Sequence, residues 1–129
     1  TVSQSTRRQK AERSGRIAEW FALIWLTAKG YRILTRRQKT GMGELDLVCV
    51  RGKVVVIVEV KQRRSFDSAR TAVSEAAWQR IGRAAELWLS KRGPLANADR
   101  RYDLFIFAGN FRFRHIPDAW RPEYPLTHG

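Results

Sequence analysis

The chain has 129 residues, 43% of them hydrophobic, and carries 25 lysines and arginines against 12 acids, a formal net charge of +13. That length and apolar content fit one domain with its own core and exclude a wholly disordered chain, while a single cysteine, Cys49, excludes an internal disulfide. No apolar run reaches the roughly 20 residues of a membrane-crossing helix and no secretory pattern opens the sequence, so a cytoplasmic protein without a membrane partner is expected. The charge favours nucleic acid as the partner over an anionic membrane surface or an acidic protein.

Residues 1–15 are polar and basic and read as an N-terminal arm in which Arg7, Arg8 and Lys10 cluster. Arg16 to Lys29 reads as a helix stopped by Gly30. Projected at about 100° per residue, Ile17, Trp20, Phe21, Ile24 and Ala28 fall on one side, with Ala18, Glu19, Ala22, Leu23 and Leu26 on the other. A helix apolar on two sides is buried on two sides. One side suits a sheet. The other suits a second copy of the chain, a homodimer through Trp20, Phe21 and Ile24, or the chain's own tail with Trp120.

Tyr31 to Thr35 reads as a short strand, followed by a basic loop, Arg36 to Thr40, and a turn at Gly41-Met42-Gly43. Glu44 to Val50 alternates, with Glu44, Asp46 and Val48 on one face and Leu45, Leu47 and Cys49 on the other. Arg51-Gly52 forms a hairpin turn, and Lys53 to Lys61 is a nearly continuous apolar strand, the mark of a sheet covered on both faces. After an arginine- and serine-rich loop, Gln62 to Arg70, residues Thr71 to Lys91 carry a helical stripe of Val73, Ala77, Ile81, Ala84 and Trp88, ended by Gly93-Pro94. Two more strands follow, Arg101 to Phe107 and Phe111 to Ile116, joined at Gly109-Asn110, with a proline-rich tail wrapping the surface. The order α-β-β-β-α-β-β, with one long crossover helix, predicts an α/β fold: a mixed sheet flanked by helices. The domain runs over residues 16–120 and the tail over 121–129.

Glu59 and Lys61 are two apart and leave the same face at the end of their strand. Asp46 lies about thirteen residues earlier with the turn near the midpoint, so hairpin pairing sets it nearly opposite Glu59, with Cβ atoms about 5 Å apart. Two carboxylates so close repel unless a cation neutralises them, and Mg2+ favours oxygen ligands and keeps several waters. Such an ion polarises a phosphoryl oxygen and acidifies bound water, and Lys61 beside it would orient the nucleophile or steady developing charge. Spacing alone leaves open a plain salt bridge between Lys61 and Asp46 or Glu59. Arg36, Arg37, Lys39, Arg63, Arg64, Arg70 and Arg80 are the candidate phosphate contacts.

An acid-bearing hairpin followed by Glu59-Val60-Lys61 resembles the PD-(D/E)xK nuclease superfamily. The chain is more closely similar to the YraN-type family of bacterial endonuclease-like proteins, through Lys29 to Leu34, Gly43 to Leu47, Val58 to Arg63, Arg101-Tyr102-Asp103 and His115 to Trp120. The resemblance implies a restriction-endonuclease-like three-layer core and a nuclease that uses Mg2+ or Mn2+ on branched or structured DNA. It also implies metal ligation by Asp46 and Glu59, a catalytic Lys61, and a helix acid, Glu19, reaching the metal as in Holliday-junction resolvases. Glu44 is a second-layer acid or a cap on the basic loop. The chain departs from the family where Ala76-Ala77-Trp78-Gln79 lacks a lysine often found there, which Arg70, Arg80 or Arg83 would replace. A non-catalytic DNA-binding module or a protein-interaction subunit on the same fold is the alternative.

Other groups carry less. His115 reads as a partly exposed strand residue, His128 as a tail residue, and Cys49 as core. In Phe111-Arg112-Phe113-Arg114 a strand with arginines out and phenylalanines in is favoured over a base-stacking platform.

Overall fold

The computed structural model describes residues 4–122, with side chains from residue 15 onward. The side chains of Arg7, Arg8 and Lys10, and the tail residue His128, lie outside the described residues.

Helix α1 spans Gln4–Ala28, beginning well before the expected Arg16. The segment before Arg16 is rich in Gln, Arg, Lys, Ala and Glu and has no proline, so intrinsic propensity carries the helix through what was read as an arm. At its other end Gly30 adopts φ 92°, and the Tyr31 N–H folds back onto the Leu26 carbonyl at 3.0 Å. This glycine-terminated cap needs a left-handed residue.

Five strands follow in sheet order: β1 (Arg32–Thr40), β2 (Gly43–Arg51), β3 (Val54–Gln62), β4 (Asp99–Gly109) and β5 (Arg112–Trp120). β3 and β4 are parallel, and the other neighbours are antiparallel. The crossover between β3 and β4 carries α2 (Glu75–Leu89). Ser74 caps α2, its hydroxyl accepting from the Ala77 N–H at 3.1 Å, and Glu75 adds charge to the first turn. The helix therefore starts after the expected Thr71, and residues 69–71 form a separate 3-10 turn.

The sheet is buried on both faces. On one side Ala18, Ala22 and Leu26 of α1 pack on Leu47, Cys49, Val56, Val58, Phe105 and Phe107. On the other, Trp78, Ile81, Ala84, Ala85 and Leu89 of α2 pack on Val48, Val55, Ile57, Tyr102, Leu104 and Ile106. The result is the expected α/β fold, a mixed sheet in a three-layer sandwich. No helix among the described residues is long and apolar enough to cross a membrane.

Four local expectations change. The basic stretch Arg36–Thr40 is strand, paired with Gly43–Leu47, because an edge strand tolerates charged side chains and shows no apolar signal. β5 runs on through Pro117 to Trp120, since an edge strand can hold a proline whose missing N–H faces no neighbour. Trp120 stacks on Trp78 at 4° on the α2 side, so it does not cover Trp20. Leu45 joins the α2-side core although Leu47 joins the α1 side, because β2 loses strict alternation at Asp46.

Candidate active site

The pairing of β2 with β3 runs from Arg51↔Val54 to Leu47↔Val58, and the next step sets Asp46 against Glu59. There the strands part. Asp46 turns its carboxylate onto the Val60 N–H at 2.9 Å, which gives that donor a side-chain partner. Its other neighbour is the Glu59 carboxyl, and the two acids share a hydrogen bond. Lys61 Nζ stands 3.6 Å from Glu59 Oε1 on the same face, with its side chain one-third exposed.

Burial and the facing Asp46 push the Glu59 carboxyl up to about 8. Asp46 is also raised, chiefly by burial, against the bond from Val60. Two buried carboxyls facing each other disfavour a second negative charge, so the site would accept a cation. Beside them lies a cavity of about 200 Å³, lined by Glu59, Lys61, Glu44, Met42, Ala77 and Arg80. The cavity opens between the β1–β2 turn and the first turns of α2, so a strand end, a turn and a helix converge on it.

Glu19 stands apart from this pair. Its carboxylate accepts from Arg37 Nε at 2.7 Å, and it acts on Asp46 through space, raising its pKa. Arg37 occupies the β1 position opposite Asp46, with φ 50°. Among the described residues no group of three or more His, Cys, Asp or Glu side chains is arranged to hold a metal ion. The structure thus brings Asp46, Glu59 and Lys61 together and leaves Glu19 held in an ion pair at their side.

Of the candidate phosphate contacts, Arg36, Lys39, Arg64, Arg70 and Arg80 are exposed. Arg37 is exposed but committed to Glu19. Arg36 lies 4.8 Å over the ring of Trp20. Arg63 is spent locally: its guanidinium donates to the carbonyls of Gln62 and Ala72 and ties down the loop after β3. On α1, Ile17, Trp20 and Ile24 form the exposed stripe. Phe21, expected beside them, leans instead on Phe107 at 4.5 Å, because the strands β4 and β5 reach around that flank of the helix.

Sequence reasoning missed a second polar cluster. Asp103, fully buried, accepts a fork from Arg101 (2.8 and 2.7 Å), bonds His115 Nε2 at 2.7 Å and accepts from the Asp118 N–H at 2.9 Å. Arg101 also donates to the Tyr31 hydroxyl at 2.6 Å. His115 is the partly exposed strand residue expected, and its ring in addition serves as an internal partner of Asp103. The signal was present as an acid inside the apolar run Tyr102 to Phe107. Burial alone would raise Asp103, yet Arg101, His115 and the Asp118 amide hold it low. These groups saturate one another, so the cluster clamps α1's C-terminal end, β4 and β5 together. A larger cleft of about 710 Å³ lies at that end of the sheet, and its three lining arginines are each held by an acid, Arg100 by Glu86, Arg101 by Asp103 and Arg121 by Asp118. Cys49 is fully buried and its thiol is pushed up to about 12, mainly by burial.

A model of the uncharacterised protein family UPF0102 matches residues 18–107, a span that holds Glu19, Asp46, Glu59 and Lys61. The chain is 42% identical over 113 residues to a UPF0102 protein of Rhizobium etli, covering 88% of this chain and 93% of that protein. It is 44% identical over 117 residues to one of Paramagnetospirillum magneticum, with coverage of 88% and 91%. To one of a Chelativorans species it is 50% identical over 97 residues, with coverage of 75% and 78%.

Proposed function

The chain belongs to the uncharacterised protein family UPF0102, and from its site geometry we propose that it is a divalent-metal-dependent endonuclease acting on branched or otherwise structured DNA. The observation that supports this reading is the convergence of Asp46, Glu59 and Lys61 beside a cavity flanked by Arg80. Two facing carboxyls offer the hard oxygen donors that Mg2+ or Mn2+ would take, such ions ordinarily keeping several waters. Bound there, such an ion supplies Lewis acidity toward a phosphoryl oxygen and a more acidic water.

The chain's own groups do the rest. Asp46 and Glu59 are the residues that would hold the divalent ion through their carboxylates. The Val60 N–H fixes the Asp46 carboxylate so that it cannot rotate away. Lys61 keeps its ammonium near Glu59 and open to the cavity, where it orients the attacking water or steadies charge on the scissile phosphate. Arg36, Lys39, Arg64, Arg70 and Arg80 bind neighbouring phosphates through charge. Arg37 holds Glu19 near Asp46, so Glu19 tunes the pair through space.

A second reading is a DNA-binding module without turnover. The engagement of Glu19 by Arg37, which leaves two converging acids, favours it. A cleavage panel of four-way junction, flap and linear duplex with Mn2+ separates the two. Metal-dependent cutting that disappears in Lys61→Ala and Asp46→Asn proteins, both still binding DNA, supports the enzyme. Salt-sensitive binding with no cutting of any substrate sinks the enzyme and leaves the module.

A further inference from the structure

The tip of the β4–β5 hairpin is at odds with its own residue preferences. Gly109 pairs with Arg112, so the two-residue turn is Asn110-Phe111 and not the expected Gly109-Asn110. Both turn residues take left-handed backbone conformations, φ 51° and 61°. Asparagine tolerates this, whereas the second position of such a turn is ordinarily glycine, and a bulky phenylalanine there is strained. Phe111 is also 81% exposed, more than Ile17, Trp20, Ile24 or Met42. Neither backbone preference nor burial accounts for a phenylalanine at this position.

Its placement does. β4 runs parallel to β3, with Lys61↔Ile106 and Gln62↔Phe107, and the Arg63 N–H donates to the Phe107 carbonyl at 3.1 Å. The tip therefore stands at the same end of the sheet as Glu59 and Lys61, but on the α1 face, whereas their side chains turn to the α2 face. A nucleic-acid strand would reach both by passing over that end of the sheet. The Phe111 ring rests on Phe21 at 5.6 Å, and Phe21 rests on Phe107, so the ring has a firm base and an open face. Exposed Arg112 and Arg114 follow it in β5.

We propose that Phe111 is a stacking residue for an unpaired base, and that the substrate class is nucleic acid with single-stranded or splayed nucleotides beside the cut phosphodiester, not continuous duplex. This rests on the nucleic-acid reading above. An aromatic face accepts any base, and the adjoining arginines take the flanking phosphates. A second copy of the chain fits the tip poorly, since each copy carries a formal charge of +13 and arginines would face arginines.

The test is binding, in EDTA, to a forked DNA with single-stranded arms and to a fully paired duplex of equal length. Fluorescence anisotropy should show the fork preferred by the wild type. Phe111→Gly should weaken fork binding roughly 5- to 150-fold, the range typical of losing one aromatic–base stack. It should leave duplex binding unchanged, and Phe111→Tyr should retain the preference. Phe111→Gly creates an Asn-Gly turn that fits the backbone, so its thermal midpoint should hold or rise, which excludes unfolding as the cause of any loss. Equal affinity of the wild type for fork and duplex, or equal losses on both in Phe111→Gly, overturns the stacking role. So does Phe111-dependent binding to anionic phosphatidylserine vesicles with no fork preference, which assigns the tip to membranes. Absence of binding to either DNA overturns this inference together with the nucleic-acid reading. Absence of cleavage alone overturns only the nuclease.

Discussion

The carboxyl groups of Asp46 and Glu59 meet across the diverging ends of β2 and β3 and share a hydrogen bond, with Glu59 raised from an ordinary 4.5 to about 8. A folded-state pKa above the unfolded value means that the native state binds more protons in that window. Stability should therefore fall as pH rises from about 4.5 to about 8. A divalent ion prefers the deprotonated pair and should restore the loss, by about 2.7 kcal/mol at a hundred times its dissociation constant. Thermal melts at pH 5 and pH 8.5, with and without Mg2+, check this. Glu59→Gln should flatten the pH dependence and abolish the response to Mg2+. A Mg2+ response retained in that variant would place the ion elsewhere.

Arg80 lines the cavity and is exposed, and no ion pair among the described residues engages it. Arg80→Ala should weaken DNA binding about equally across sequences. It should also reduce the slope of log affinity against log salt by about 1, as loss of one phosphate contact does. A titration from low to moderate salt reads both effects, and an unchanged slope would remove Arg80 from the phosphate contacts.

Asp103 is fully buried and bonded to Arg101 and His115. Asp103→Ala should cost about 3–5 kcal/mol, because it strands the Arg101 guanidinium and the His115 ring without their shared acceptor. Denaturant unfolding measures this. The pH dependence has the opposite sign to that of Glu59. Asp103 is held below its ordinary 3.8, so its contribution is present above that value and is lost as pH falls through the lowered folded pKa. Asp103→Asn should therefore lessen the protein's sensitivity to acid.

Gly82 lets Trp120 lie against α2. A Cβ at this position would sit 3.1 Å from the Trp120 ring, which is itself stacked on Trp78 and bonded through its indole N–H to Glu75 at 2.9 Å. Gly82→Ala gains helix propensity but overpacks this contact, with an expected net loss of about 1–2 kcal/mol. A shift in tryptophan fluorescence should accompany the loss, whereas unchanged emission with raised stability would show that the ring moves aside freely.

The acids and the lysine were legible early because a hairpin converts spacing into proximity. With a turn at Gly52, Asp46 must come near Glu59, and period two puts Lys61 on the same face. The covered sheet was equally legible from the unbroken Val54–Val58 run. Glu19 was less so. Helical periodicity placed it on the correct flank of α1, but no local rule pairs it with Arg37, which reaches it from a left-handed position in an edge strand.

By itself the sequence determined the order and type of the elements, though not their ends, the three-layer order and the meeting of Asp46, Glu59 and Lys61, since those follow from short-range periodicity and one turn. Only the tertiary structure decided the partners of Glu19, Asp103 and His115, the turning of Phe21 away from the exposed stripe, and the position of Phe111 at the site's end of the sheet. These depend on contacts between elements remote in the chain, where burial and packing against other strands select among side-chain arrangements that local propensity leaves equivalent.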